Sequence, residues 1–141
     1  MKKFLLLSAF LLLLSSCTRT PSQELQDVIC EKHDMFPASV GPGLVIDDIE
    51  MNDSTVVYHF VVNDAMLCID TVLQNVSMNG RDNILASFDE LSDEDLYFFS
   101  LVRDAGMNLV WRFEGSTTRR STEVFVLNRE ISDALADSHV K

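Results

Sequence analysis

The sequence predicts an α+β domain of two layers, in which two antiparallel β-hairpins form the sheet and helices pack mainly on one face. Two stretches, residues 44–62 and 107–127, each hold a pair of segments with strand-like alternation around a polar turn. A third stretch, residues 92–104, is apolar on nearly all sides, which is typical of a buried helix. With the weaker helical patterns elsewhere, the predicted order is α-β-β-α-α-β-β-α.

The first 16 residues have the plan of a secretory signal peptide. Lys2 and Lys3 give a positive start, and an apolar run over Phe4–Leu14 is interrupted only by Ser8. This run is far shorter than the roughly 20 residues that a helix needs to span a bilayer. We therefore expect residues 1–16 to be removed rather than to remain as a transmembrane helix.

The junction Leu14-Ser15-Ser16-Cys17 resembles a bacterial lipobox. The resemblance implies that Cys17 is lipidated, becomes the first residue of the mature protein and holds it on the membrane. Thr18 follows where the inner-membrane retention signal of such lipoproteins has Asp. The expected location is the outer membrane, facing the periplasm, with residues 17–22 as a lipidated tether and residues 23–141 as one globular domain.

Composition and charge exclude several classes of function. The 141 residues include 11 Lys and Arg against 22 Asp and Glu, a formal charge of -11. Loss of Lys2 and Lys3 leaves nine basic residues against the same 22 acidic ones, a charge of -13. A field of this sign repels nucleic acid and disfavours docking of a basic face on anionic lipid. It suits an inhibitor or immunity-type protein that caps a basic partner.

The first predicted elements are a helix and a hairpin. The helix covers residues 22–36, with Ser22 as its N-cap. The hairpin covers residues 44–62 and turns at residues 52–54, which places one almost wholly apolar face toward the core.

The other face of this hairpin is mixed, since Ile46, Val57 and Val61 lie beside Asp48 and His59. A contiguous apolar group on an exposed face marks an interface. We therefore expect the protein to meet a partner or a second copy here, with Ile46, Val57 and Val61 at the centre. In the alternative, a helix folds over this side and buries the same residues.

The middle of the chain is predicted to be helical. Asp64 is a candidate cap for a helix over residues 65–78, which Gly80 is expected to break before another turn at residues 84–88. Ser92 and Asp95 then resemble a capping box, and Gly106 ends the helix that follows. The remaining elements are strands at 107–114 and 122–127 and a terminal helix that begins at Asn128.

Signatures of catalysis are weak in this sequence. It contains no HExxH, GxSxG, P-loop or GxGxxG motif and no cysteine pair at zinc spacing. His59 opposite Asp48 is the one constellation that could orient a base, and spacing places no nucleophile beside it. The acidic run over residues 89–95 could hold calcium, but three of its members fit the first turn of a helix better. We expect no cofactor and no metal.

Three arginines and two cysteines remain open to more than one interpretation. Arg112, Arg119 and Arg120 surround one hairpin, where they could protect a strand end or receive an acidic partner or a sugar carboxylate. Cys30 and Cys68 could form a disulfide in an oxidising compartment, or be two buried thiols.

Two further resemblances point to Bacteroidota. Asp53-Ser54-Thr55 resembles an O-glycosylation signal of that phylum, and Ser54 lies at the predicted hairpin tip. The order of elements after the lipobox also resembles small uncharacterised lipoproteins of Bacteroidota, which implies no activity.

The sequence thus favours a non-catalytic, lipid-anchored envelope protein that acts as a binding module. Its expected partners are the membrane, through the lipid on Cys17, and another protein or a second copy. An inhibitor or immunity-type protein and a small hydrolase using His59 are the alternatives.

Overall fold

A computed structural model describes residues 18–138. They form a five-stranded sheet and four α-helices in two layers, which confirms the predicted fold class. The predicted signal peptide, the candidate lipidation residue Cys17 and residues 139–141 lie outside the described residues. The elements are α1 (Pro21–His33), β1 (Ala38–Gly41), β2 (Leu44–Met51), β3 (Thr55–Val62), α2 (Ile69–Ser87), a 3-10 turn (Phe88–Glu90), α3 (Asp93–Asp104), β4 (Asn108–Gly115), β5 (Ser121–Val126) and α4 (Asn128–Ser138).

The strands lie in the order β1-β2-β3-β4-β5. The two predicted hairpins, β2–β3 and β4–β5, are antiparallel, and β3 pairs with β4 in parallel. A parallel pair needs a crossover, which here is made by α2 and α3. The short edge strand β1 and the parallel joint were not predicted from the sequence.

The core lies between the helices and one face of the sheet, the inner face. Its centre is aromatic: the rings of Phe60 and Phe113 stack with centroids 4.6 Å apart, and Tyr58 meets the edge of Phe98 at 6.1 Å. Burial raises the pKa of the Tyr58 hydroxyl far above its ordinary value. Helix α4 seals the layer with Leu135, which is fully buried.

Helix α1 begins at Pro21, one residue before the predicted range, and its N-cap lies two residues before the predicted one. The Thr20 hydroxyl accepts a hydrogen bond from the Gln23 N–H, and the Gln23 side chain accepts one from the Thr20 N–H, which makes a capping box. Pro21 at the first helical position has a fixed φ that suits the helix. Thr20, rather than Ser22, is therefore the N-cap.

Helix α2 is a single helix where the sequence predicted two segments. Asn79 and Gly80 lie within it, and its N-cap is Cys68 rather than Asp64. A Cβ built on Gly80 would be 2.9 Å from Cγ2 of Val124 on β5. The glycine thus lets the helix approach the sheet closely, and this tertiary contact outweighs its low helix propensity.

Helix α3 confirms the local signals at both of its ends. The Ser92 hydroxyl accepts from the Asp95 N–H at 3.2 Å. At the other end Gly106 has a φ of 71°, and the Met107 N–H donates to the Val102 carbonyl, which forms a Schellman motif. The side chain of Asn128 donates to carbonyl groups at this same end, so α4 begins where α3 terminates.

Candidate functional site

The candidate site is the outer face, the side of the sheet that the helices leave open. Its side chains are those of Val45, Glu50, Val57, His59, Val61, Val110, Arg112, Glu114, Glu123 and Phe125. Within residues 18–138, the helices pack with the inner-face residues in one core cluster, and Val57, Val61 and Val110 do not belong to it.

A β-bulge near Asp47 sets which residues reach the outer face. From Met51 to Asp48 the register of β2 is the predicted one, but beyond the bulge Ile46 pairs with Phe60 and Val45 with Val61. Ile46 therefore packs against the core, and its predicted place at the centre of an interface is wrong. The extra residue changes the alternation of the strand, which a constant pairing pattern cannot anticipate.

An apolar row crosses the outer face on neighbouring strands. Val57 on β3 pairs with Val110 on β4, which pairs with Phe125 on β5. Val110 is only 5% exposed because its neighbours flank it, whereas Phe125 is 57% exposed. Phe125 was not singled out from the sequence, although the alternation of inner Val124 and Val126 signals its position.

A charged row lies beside the apolar one. Arg112 reaches Glu123 at 3.4 Å and Glu114 at 3.5 Å, and Arg119 reaches Glu114 at 3.0 Å. The hydrogen bond from Arg119, helped by the charge of both arginines, holds the pKa of Glu114 below its ordinary value. These charges are paired within the chain, so this part of the face is polar but close to neutral.

The predicted His59–Asp48 pair is in backbone register, but the two side chains have other partners. Nε2 of His59 lies 3.0 Å from a carboxylate oxygen of Glu50, and Nδ1 of His33 lies 3.0 Å from that of Asp48. A small cavity of about 100 Å³ beside His59 is lined by acidic, basic and apolar side chains, with no serine, threonine or cysteine. The structure therefore brings a base and carboxylates together without a hydroxyl or thiol nucleophile in that lining.

The remaining arginine, Arg120, pairs with Asp70 at the start of α2 rather than facing the outer surface. Two of the three arginines around the second hairpin thus belong to the outer face, and all three contact an acidic side chain of the same chain. The acidic run before and within α3 places Asp93, Glu94 and Asp95 in the first helical turn, as the sequence suggested.

Both described cysteines are free and exposed, so the structure contains neither the disulfide nor a pair of buried thiols. Cys30 is on α1, which packs against α3, whereas Cys68 precedes α2, which packs against β5. Hydrogen bonds from Thr71 hold the pKa of the Cys68 thiol below its ordinary value. Ser54, the candidate glycosylation residue, is exposed between β2 and β3 at the hairpin tip.

Residues 18–138 offer neither a metal site nor a membrane-spanning helix. No group of three or more His, Cys, Asp and Glu side chains in that range could hold a metal ion. None of the helices in that range is both long and apolar enough to cross a bilayer.

No protein-family model and no curated protein matches the chain. Its fold is similar to solved structures that include a protein of Pseudomonas aeruginosa provisionally described as secreted, with 14% identity, a TM-score of 0.61, and coverage of 79% of this chain and 92% of that one. The pilotin EpsS of the type 2 secretion system of Vibrio vulnificus has 13% identity and a TM-score of 0.51, over 77% of this chain and 88% of its own. At these identities the likeness concerns the fold.

Proposed function

We propose that this protein is a non-catalytic binding module, anchored to the cell envelope by a lipid on Cys17, and that the outer face of its sheet binds a protein partner. The observation that carries the proposal is the apolar row of Val57, Val110 and Phe125 on a sheet face that the helices leave open. Binding surfaces combine such an apolar centre with a polar rim, which the paired charges around Arg112 supply here.

Phe125 has the properties of an anchor residue. Aromatic side chains at the centre of interfaces carry a large share of binding energy, and Phe125 exposes more than half of its surface beside an already shielded Val110. Val61 and Val45 extend the apolar surface on the far side of the charged row. A partner that covers both sides would enclose the ion pairs of Arg112 and gain specificity from them.

The location rests on the sequence. The lipobox resemblance supports lipidation of Cys17, and the following Thr18 supports the outer membrane, facing the periplasm. The likeness in fold to a pilotin and to a protein described as secreted is compatible with a role on the exported side.

The alternative functions draw less support from the geometry. A cap for a basic partner needs free acidic groups, whereas Glu114 and Glu123 on the outer face are paired with arginines. A hydrolase that pairs His59 with a hydroxyl or thiol nucleophile draws less support, because the lining of the cavity beside His59 contains neither group.

The test compares Phe125→Ser with Tyr97→Ser in the full chain. Tyr97 is a matched control because it is 52% exposed but lies on α3, in the helix layer. Phe125→Ser should weaken association with the partner cross-linked in the native envelope by about tenfold or more, since an aromatic anchor is worth roughly 2 kcal/mol. Tyr97→Ser should leave association unchanged, and both variants should keep their melting temperatures.

Sedimentation of the purified chain separates a partner from a second copy, because only self-association appears without other proteins. Val57→Thr combined with Val61→Thr tests the face independently, since threonine keeps the strand-favouring branched side chain. Equal association of all these variants with the partner would contradict the proposal. So would a loss of several kcal/mol of unfolding free energy in the double variant without any change in association, because the face would then be core.

A further inference from the structure

Strand β5 forms one edge of the sheet, since β4 is its only neighbouring strand among residues 18–138. The Gly115 N–H donates to the Arg120 carbonyl at 2.8 Å, so these two residues are a hydrogen-bonded pair of the antiparallel ladder. Such pairs alternate along a ladder with pairs that form no hydrogen bonds. The backbone groups of the even-numbered residues of β5 therefore face β4. The backbone groups of its odd-numbered residues face the open edge: Ser121, Glu123 and Phe125.

These odd-numbered residues leave a row of unpaired backbone groups along the edge. Within residues 18–138, the N–H and C=O of Ser121, Glu123 and Phe125 have no hydrogen-bond partner, and all three residues are exposed. Helix α2 contacts β5 from the inner face instead, where Gly80 lies against Val124. An extended chain, which presents N–H and C=O groups at the spacing of a strand, would satisfy this row.

The two edges of the sheet differ in how well they suit such a chain. Natural edge strands are commonly protected by shortness, bulges, proline or lysine. The other edge strand, β1, has four residues and a register shift between Ser39 and Gly41. Strand β5 has six residues in unbroken register with β4, and it contains no proline, glycine or lysine. The β5 edge is therefore the more regular template of the two.

The side chains at this edge indicate the chemistry of the added strand. Phe125 is more than half exposed and has a neighbouring strand on one side only, so an apolar residue placed opposite would cover its free side. Glu123 contacts Arg112 through Oε1 at 3.4 Å, which leaves Oε2 for a cation on the added strand. The formal charge of -11 also favours a basic segment over an acidic one.

A second copy of this chain fits the edge less well. The antiparallel register that would pair all three free residues places Glu123 directly opposite its own equivalent, and like charges in that position are destabilising. A shift by two residues toward the end of the strand places Ser121 opposite Leu127. The Leu127 N–H already donates to the Glu130 carboxylate at 2.9 Å, and its carbonyl accepts from the Glu130 and Ile131 N–H groups. These registers lose either charge balance or hydrogen bonds.

We propose that the β5 edge binds an extended segment of a partner protein as a sixth, antiparallel strand, with a basic residue opposite Glu123 and an apolar residue opposite Phe125. The backbone of the segment bonds to the three free residues of the edge, and its side chains determine which segments bind. An antiparallel segment is favoured because such ladders are slightly more stable per residue than parallel ones. This surface goes beyond the outer face, because it relies on the backbone of β5 rather than on Val57 and Val110.

The test uses the peptide Thr-Ile-Thr-Lys-Val-Thr, acetylated and amidated, in which isoleucine is designed to lie opposite Phe125 and lysine opposite Glu123. The full chain is held in phosphatidylcholine nanodiscs, and amide hydrogen exchange is followed by NMR. Without peptide, we expect fast exchange at Ser121, Glu123 and Phe125 and slow exchange at Val124, whose N–H faces β4. Saturating peptide should slow exchange at the three edge residues and leave Val124 slow.

N-methylation of the peptide separates backbone pairing from nonspecific contact. In the proposed register the N–H of the isoleucine faces β5, so its methylation should weaken binding about tenfold or more. The N–H of the threonine between isoleucine and lysine faces away from β5, so its methylation should change binding less than about threefold.

Variants of the chain test the charge and the backbone separately. Glu123→Lys should weaken binding of the lysine peptide about fivefold and strengthen binding of a peptide with glutamate in its place by a similar factor. Ser121→Pro removes one edge N–H and should weaken binding of both peptides, while the fold tolerates proline at a group that faces solvent. Val57→Thr combined with Val61→Thr, which tests the outer face, should leave peptide binding unchanged, so the two proposals can fail separately.

Three results would overturn the proposal: no binding of the peptide, equal effects of the two N-methylations, or slow exchange at the three edge residues in the monomeric chain alone. If exchange at these residues instead slowed with rising protein concentration in the absence of peptide, the edge would belong to a second copy and the assignment to a partner protein would be wrong.

Discussion

At the scale of single residues, Asp64 shows how one carboxylate can join distant parts of the chain. It follows β3, and its oxygens accept hydrogen bonds from the Ser116 hydroxyl at 3.0 Å, the Thr117 N–H at 3.1 Å, and the Thr118 N–H and hydroxyl at 2.9 Å each. A Cβ on Gly115 would be 2.6 Å from the same carboxylate, so the glycine leaves room for it. These donors hold the pKa of Asp64 well below its ordinary range, with the Thr118 N–H making the largest contribution.

This geometry predicts acid-sensitive stability. Because the pKa of Asp64 is lower in the folded state than in the unfolded state, ionised Asp64 stabilises the fold above the unfolded pKa of about 3.9. The contribution is lost as the pH falls from there toward the folded pKa. Asp64→Asn should therefore lower the midpoint of urea unfolding at pH 7, and its difference from the unaltered chain should shrink below about pH 4.

The measurement is urea unfolding of the full chain, followed by Trp111 fluorescence at several pH values. Asp53→Asn, an exposed acid at the tip of the first hairpin, is the matched control and should leave the midpoint nearly unchanged. If Asp64→Asn kept the midpoint at pH 7, the hydrogen bonds to the loop at 116–118 would not be a source of stability.

Sequence reasoning placed Asp64 at the start of a helix, because Asp is a common N-cap and an apolar pattern follows it. Its actual partners lie more than fifty residues away, and spacing along the chain carries no information about them. The same limit applies to His59, whose backbone partner was predicted while its side-chain partner, Glu50, was not. Phe125 differs, since the alternation of its strand would have been sufficient to place it on the outer face, although the sequence analysis did not single it out.

At the scale of elements, the contact between α2 and β5 depends on Gly80. Alanine has a helix propensity about 1 kcal/mol better than glycine, so an exposed site would gain from Gly80→Ala. Here the new methyl group meets Val124 at 2.9 Å, and overpacking of this kind costs about 1–3 kcal/mol. We expect a net loss of roughly 1 kcal/mol in the free energy of unfolding, measured with urea.

A double-mutant cycle shows whether the cost arises at Val124. Val124→Ala alone leaves a cavity and should destabilise, but with Gly80→Ala the two changes should partly compensate, giving a coupling energy of about 0.5 kcal/mol or more. Additive effects, or a stabilised Gly80→Ala variant, would show that α2 moves away from the sheet at little cost.

The elements that sequence reasoning found are those whose signals are local. Each of these signals occupies only a few residues of the chain: the cap at Ser92, the end of α3 at Gly106 and the turn of the first hairpin. Strand β1 has four residues and follows a loop, which leaves too short a pattern to recognise. The parallel pairing of β3 with β4 joins segments that α2 and α3 separate, so neither hairpin reveals it alone.

At the scale of the whole molecule, the sheet divides two surfaces with different chemistry. The outer face has an apolar row beside ion pairs, whereas on the helix side a groove of about 420 Å³ between α2 and β4 has no charged residue in its lining. Val57 and Val61 were sufficient to identify the outer face from the sequence. Ile46 was placed there wrongly, because no residue pattern signals the bulge near Asp47. The groove forms only when α2 packs over β4, so no local pattern could predict it.

The proposed membrane attachment would decide what the surfaces of the protein can meet, and it depends on the thiol of Cys17. Cys17→Ala removes the sulfur that the lipobox resemblance implies is acylated, so no lipid should be attached. We expect either an uncleaved precursor or a soluble form, with the mass lacking the acyl groups. The measurement is membrane fractionation together with intact mass spectrometry.

Cys30→Ala is the matched control, since Cys30 is an exposed thiol within α1 and should not affect anchoring. Lipid attachment holds a protein on a membrane because each buried methylene contributes about 0.8 kcal/mol. Without the acyl chains, a smaller share of the protein should therefore be recovered in the membrane fraction. A Cys17→Ala protein that kept both the mass and the membrane fraction of the unaltered protein would contradict the anchor. In that case the outer face, whose apolar row needs no membrane, would keep its proposed role.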